Sequence, residues 1–235
     1  MRVAVMQPYL FPYLGYFQLL RAADKFVLLD DVQFIKRGWI NRNRILVNGQ
    51  EHLFTVPLEG VSQHKLIQQV QVQAEQHARR KLLQTIRQAY KKAPYFAACF
   101  PLLEQVLLSP PSLAVTDMAH AGLLAVGHYL GWEPQLYLSS ALPKEPGLSG
   151  ADRILAICHE LKADQYVNME AGRPLYDAAH FAGRGVELQF LRARLLPYPQ
   201  AAPTFVPGLS IIDVLMQNSP AWVRETLAQA EVSAA

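Results

Sequence analysis

Two short apolar runs with an amphipathic run between them constrain this chain most. Arg2–Met6, through Val3, Ala4, Val5 and Met6, has the character of a buried strand, and Lys25–Leu29 that of a second. Between them Tyr16–Ala23 places Phe17, Leu19, Leu20 and Ala23 at helical spacing. Apolar strands flanked by helices belong to a parallel sheet covered on both faces. The connection from first strand to helix, Gln7-Pro8-Tyr9-Leu10-Phe11-Pro12-Tyr13-Leu14-Gly15-Tyr16, is crowded with aromatic rings. Its two prolines exclude a helix or a central strand there, and Gly15 permits a tight entry into the helix. In α/β folds this loop faces ligands, yet aromatic loops also serve only to pack. The sequence leaves both readings open.

Asp30 and Asp31 then fall at the carboxyl end of the second strand, the edge where open α/β sheets bind ligands. Asn48-Gly49 marks a hairpin, with Trp39–Val47 as its outgoing arm and Glu51–Pro57 as its return. Leu66–Val72 is a further strand by its pattern. From Glu75 to Gly131 helical spacing dominates, broken at Pro94 and Pro110-Pro111, with Pro101 dividing or kinking the middle helix. Strand–helix alternation resumes with strands at Gln135–Leu138, Gln165–Asn168 and Val186–Phe190. Ser149–Asp152 has capping-box form, as does Ser210–Asp213 beyond a Pro-rich segment, Leu196–Gly208. The tail past Glu231 is expected to fray. The expectation is therefore an α/β fold, Rossmann-like, with a mostly parallel sheet, a basic β-hairpin and an inserted helical block. Its parts are 1–74, 75–131 and 132–235, within one compact domain.

Composition excludes several classes. Hydrophobic residues at 51% and charged residues at 17% describe an ordered globular chain. No apolar run reaches the ~18 residues of a membrane span, and the first residues lack the form of a signal peptide. These features, with Cys99 and Cys158 unpaired in any motif, point to a cytoplasmic chain with reduced thiols. A net charge of +3 is too weak to imply nucleic acid. Phosphate-loop, dinucleotide, nucleophile-elbow and zinc motifs are all missing, and the seven histidines show no ligand spacing, so no metal site is expected.

Three constellations remain. Asp30 and Asp31 are the catalytic candidates: one binds a ribose or sugar hydroxyl or a metal, while the other orients Lys36 or Arg37. As an alternative, they merely cap a turn. The run Lys36-Arg37-Gly38-Trp39-Ile40-Asn41-Arg42-Asn43-Arg44 offers guanidinium forks to phosphate or carboxylate. Trp39 supplies a stacking face, and Asn41 a neutral donor and acceptor. Strict strand alternation puts Trp39, Asn41 and Asn43 on one face and Arg42 and Arg44 on the other. Gln7, Tyr9, Tyr13, Gly15 and Tyr16 form the remaining wall of a binding site for a phosphorylated small molecule. Ser139, Ser140, Lys144, Asn168, Glu170 and Arg173 lie in later strand-end loops that converge on the same edge, with Tyr198 and Gln200 as covers. Ser210 and Asp213 are read as a helix cap.

The segments QPYLFPYLGYFQLL at 7–20, LDDVQFIKRGWINRNRI at 29–45, AYKKAPYF at 89–96 and FVPGLSIIDVL at 205–215 resemble the WbqC-like protein family. Asn168-Met169 stands where that family pattern has Ser-Gly. The resemblance implies a role in bacterial O-antigen or surface (lipo)polysaccharide biosynthesis, and a transferase acting on a nucleotide-linked amino sugar, with aminoacyl transfer such as glycine among its forms. Other polysaccharide-biosynthesis proteins are the partners it implies. The strand-loop-helix start is also similar to HIGH-type nucleotidylyltransferases, with Tyr13 and Tyr16 in the histidine positions. That similarity implies an alternative: a nucleotidyltransferase or ATP-dependent ligase using Mg²⁺ with its nucleotide. A non-catalytic sugar-nucleotide-binding protein is the third reading.

Overall fold

A computed structural model describes residues 1–62 and 64–235. The apolar run at the start forms β1 (Arg2–Met6), followed by α1 (Leu14–Ala22) and β2 (Lys25–Leu28). The hairpin is β3 (Arg42–Val47) and β4 (Gln50–Thr55), and its two-residue turn places Asn48 and Gly49 at φ of 51° and 76°. That is the left-handed pair an Asn-Gly turn supplies.

The stretch 66–72 is not one strand. Leu66 makes a single bridge to Gln33, Ile67–Gln69 is a 3₁₀ turn, and β6 (Gln71–Val72) pairs with β5 (Leu58–Glu59). Ile67 and Val70 are buried because the turn folds inward instead of alternating. The helical block follows as α2 (His77–Tyr90), α3 (Phe96–Leu108) and α4 (Val115–Tyr129). Pro101 does not divide α3. It removes one hydrogen bond to the Ala97 carbonyl, and both residues are exposed, on the solvent side of the helix.

β7 (Leu136–Leu138), α5 (Gly150–Glu160), β8 (Gln165–Met169), α6 (Ala178–Ala182) and β9 (Glu187–Arg192) complete the alternation. After them come α7 (Ile211–Gln217), α8 (Pro220–Leu227) and β10 (Glu231–Ala234). The tail is not frayed: β10 pairs antiparallel to β9 along Glu231–Ala234, because backbone pairing at an edge needs no apolar pattern. Ser149 precedes α5 without a side-chain capping bond, whereas Ser210 caps α7 by accepting from the Ile212 N–H.

The six-stranded sheet runs β10-β9-β8-β1-β2-β7, parallel except for β10. From the β7 edge its strands stand in the order third, second, first, fourth, fifth, sixth, the arrangement of doubly wound nucleotide-binding folds. The chain reverses direction across the sheet between β1 and β8. One apolar cluster joins the α1 face to the hairpin, α2, α3, α4 and α7. The other packs α5 and Phe181 of α6 onto Val3, Val5 and Val27. No described helix is long and apolar enough to cross a membrane.

Candidate functional site

The aromatic loop is shaped by what it buries. Leu10, Phe11 and Leu14 enter the core. Phe11 adopts φ of 47°, a left-handed conformation that costs a residue with a Cβ about 1–2 kcal/mol. The Phe11 carbonyl is held from two sides, by Asn43 Nδ2 at 2.9 Å and by Ser210 Oγ at 2.7 Å. Leu10 N–H donates to the Ile40 carbonyl at 3.0 Å, and the Pro12 carbonyl accepts from Ile211 N–H at 2.8 Å. The loop is thereby sewn to the hairpin and to the start of α7.

This bend leaves Tyr9 and Tyr13 half-buried and facing outward. With Pro12, they form one wall of a pocket of about 240 Å³. Trp39, Asn43 and Arg44 form the second wall, and Leu195 and Gly208 of the segment 193–209 form the third. Drug-sized ligands occupy about 300–1,000 Å³, so this pocket takes a single ring. Burial raises the Tyr9 and Tyr13 phenols above their ordinary pKa, for Tyr13 with help from Tyr9, so both stay neutral donors. The Tyr13 ring folds over Gly15 so closely that a Cβ there would collide with it.

The basic run is arranged differently from strict alternation. Ile35–Gly38 is a turn closed by Gly38 N–H to the Ile35 carbonyl at 3.2 Å, and the strand starts only at Arg42. Trp39 therefore swings onto the arginine face. The Arg42 and Arg44 guanidiniums lie 5.7 and 5.9 Å from its ring centre. Arg42 Nε donates to the Gly38 carbonyl at 2.8 Å. Arg44 Nη1 pairs with Glu51 at 2.5 Å, and Nη2 reaches the Gly208 carbonyl at 3.5 Å. Arg44 Nε is buried without a partner among the described residues. Lys36, Arg37 and Arg42 have no carboxylate within ion-pair reach among the described residues.

Other expected site residues lie elsewhere. Tyr16 belongs to α1 and is fully buried, its hydroxyl donating to the Gln7 carbonyl at 2.8 Å. Asn41 Nδ2 donates to the Val56 carbonyl at 2.7 Å. Asp30 and Asp31 do not line the pocket. Asp30 is buried and accepts from Ser140 N–H at 2.9 Å and Ser140 Oγ at 2.7 Å. Asp31 pairs with Lys144 at 2.9 Å and Arg153 at 3.4 Å. Burial pushes the Asp31 carboxyl up, but Lys144 and then Arg153 outweigh it and hold the group below its ordinary pKa. The ends of β2 and β7 do converge, then, on a cluster of their own. Asn168 lies within β8 and not in the loop after it, donating to Tyr166 Oη at 3.1 Å, and in that loop Arg173 pairs with Glu170 at 2.9 Å. Among the described residues no group of three His, Cys, Asp or Glu side chains is placed to hold a metal ion.

The least expected feature is Asp213. It is fully buried and is no helix cap. Its carboxylate accepts from Tyr90 Oη at 2.7 Å, Tyr198 Oη at 2.7 Å and Gln200 Nε2 at 3.3 Å. Tyr90 Oη in turn accepts from Leu46 N–H of β3 at 3.0 Å. Burial raises the Asp213 carboxyl above its ordinary pKa, although its three donors pull the other way. Asp213 thus fastens the segment 193–209, which carries Leu195 and Gly208, to α2 and the hairpin. Gln200 also brackets Val206, donating to its carbonyl at 3.1 Å and accepting from its N–H at 2.8 Å.

The family model for the WbqC-like protein family matches residues 7–225. The chain belongs to the WbqC-like protein family. The match takes in the aromatic loop, the hairpin, the helical block and α7, the segments that build and brace the pocket. A Mycobacterium tuberculosis (strain ATCC 25618 / H37Rv) protein named only as uncharacterized protein Rv1507c is 26% identical over 216 residues, 91% of this chain and 92% of its own. No solved structure matches the chain.

Proposed function

We propose that this family member is a transferase acting on a nucleotide-linked amino sugar in surface-polysaccharide (O-antigen) biosynthesis. The observation that carries the reading is the pocket itself: three aromatic rings and one guanidinium around a space for one ring. Aromatic faces suit a sugar or base, and the Arg44 side chain lining the same space brings a cation to it. Arg42 lies over Trp39, and Lys36 and Arg37 are carried by the turn just before it, for the phosphates that the ring carries. The nucleotide part, too large for the pocket, extends outward over these cations.

In this reading Tyr9, Tyr13 and Trp39 stack on the ring, and Asp30 and Asp31 set the geometry of the β2 and β7 ends from outside the pocket. The ligase alternative needs polar side chains at the start of α1, and the burial of Tyr16 supports it less. A thermal-shift panel of ATP, CTP, UDP-sugars and dTDP-linked amino sugars tests the proposal. A melting shift with an amino-sugar nucleotide, lost in Arg42→Ala, is expected. Stabilisation by no phosphorylated compound, or an unchanged shift in Arg42→Ala, refutes it. Mg²⁺-dependent consumption of a nucleoside triphosphate would favour the ligase instead.

A further inference from the structure

The face of the hairpin around Trp39 carries two exposed apolar side chains, Ile35 and Leu53, that the pocket does not use. Of the large hydrophobic side chains exposed among the described residues, Met1, Ile35, Trp39, Leu53 and Leu175, three lie here, at 56%, 42% and 49% exposure for Ile35, Trp39 and Leu53. Leu53 is the cross-strand partner of Arg44, so its side chain stands on the arginine face beside Trp39. Ile35 opens the turn whose corner carries Lys36 and Arg37, with Arg37 at φ of 63°. A non-glycine in that conformation is strained, and the turn holds its two cations outward at the tip. Between Val32 and Gln50 the sequence has Lys36, Arg37, Arg42 and Arg44 and no carboxylate; Glu51, the next residue, pairs with Arg44 and leaves Lys36, Arg37 and Arg42 for the face.

We propose that this face docks on an anionic lipid bilayer and presents the mouth of the pocket to the membrane surface. Exposed Trp and aliphatic side chains interleaved with Lys and Arg are what an interfacial element needs. The apolar tips enter the headgroup region, and each cation near the surface adds its own electrostatic attraction. Trp39 belongs both to this face and to the pocket wall, so docking sets the pocket against the membrane. A nucleic acid would use the cations and Trp39 but gains nothing from Ile35 and Leu53. A second copy of the same face would bring like charges together. The docking claim stands on the face alone. Only the statement of what is presented there rests on the pocket reading above.

Sedimentation with phosphatidylcholine vesicles, with and without about one third phosphatidylglycerol, tests it. Binding is expected to the anionic vesicles only, weakening as salt rises. Lys36→Ala/Arg37→Ala should weaken it roughly tenfold or more, and Ile35→Ser/Leu53→Ser should also weaken it. All four side chains are exposed, so unchanged melting curves verify that these variants fold. A blue shift of tryptophan emission on vesicle addition, absent in Trp39→Phe, locates the contact, since Trp132 and Trp222 are half-buried. Equal binding to neutral vesicles, unchanged binding by both double variants, association with single-stranded polynucleotide but not with vesicles, or a dimer abolished by Ile35→Ser/Leu53→Ser would each overturn the proposal. The ligand-induced melting shift of Ile35→Ser/Leu53→Ser without vesicles reads the pocket separately. Its loss or survival bears on the functional reading and not on docking.

Discussion

Replacing Tyr198 by Phe removes one hydroxyl and tests whether a buried carboxylate fastens the wall of the pocket. The ring keeps its edge contacts with Phe205 and Trp222, at 5.4 and 5.8 Å between centres, so little packing is lost. Asp213 Oδ2 loses its 2.7 Å donor and retains only Gln200 at 3.3 Å. A hydrogen bond to a charged group contributes about 1.5–3 kcal/mol, which for a chain of this size is a fall of roughly 3–12 °C in melting temperature. The pH dependence gives the sharper result. Burial already raises the Asp213 carboxyl above its ordinary value, and losing a donor raises it further. Ionised Asp213 needs the missing donor, and protonated Asp213 does not. The cost of Tyr198→Phe is therefore full above the raised pKa and shrinks as pH falls through it. Urea unfolding of both proteins at neutral pH and at successively lower pH measures this. A cost below about 0.5 kcal/mol, within the range of ordinary surface changes, or one that is the same at every pH, would refute the assignment of Asp213 as a charged anchor.

Three more outcomes follow from the site. Arg44→Lys keeps a cation for Glu51 but loses the planar guanidinium over Trp39, so ligand binding in the melting-shift assay should weaken about tenfold. Gly15→Ala forces the Tyr13 ring out of its position over α1, costing about 1–3 kcal/mol of stability, and its ligand affinity, read by titration calorimetry, should fall with it. Asp31→Asn leaves Lys144 and Arg153 without their counter-ion. Its pKa lies below the ordinary value, so this pair contributes stability above that value and loses it as pH falls through the lowered one. Thermal melts should show the variant about 1–2 kcal/mol weaker at neutral pH, a figure held down by partial exposure, and converging with the parent in acid.

Much of the fold is legible because its signals are local. Val3–Met6 and Phe26–Leu28 are apolar at every position, which only a strand covered on both faces tolerates. Asn48-Gly49 names its own turn. The errors arise where a residue's setting depends on distant chain. Tyr16, where the loop meets the helix, looks like a ligand-facing residue, but α1 begins at Leu14 and turns Tyr16 into the core. Trp39 looks like a strand residue, but a turn at Ile35–Gly38 delays the strand. The pocket's first wall and its cations were visible as a crowded loop and a basic run. Its third wall was not: Leu195 and Gly208 sit in irregular chain with no periodicity. The Tyr90–Asp213 bond spans 123 residues, and no window along the sequence connects them.

Gln18 of α1 gives the segment 193–209 a mechanical character. Its amide is buried, donates to the carbonyls of Arg194 and Thr226, both at 2.9 Å, and accepts from Arg194 N–H at 3.0 Å. The far end is pinned where Ser210 N–H meets the Arg44 carbonyl at 2.8 Å. A stretch without helix or strand is thus clamped at both ends and at its middle. It resembles a strung wire more than a swinging door. A ligand entering beneath it meets a wall whose shape is already set, so the entropy of ordering that wall is met when the chain folds and not when the ligand binds.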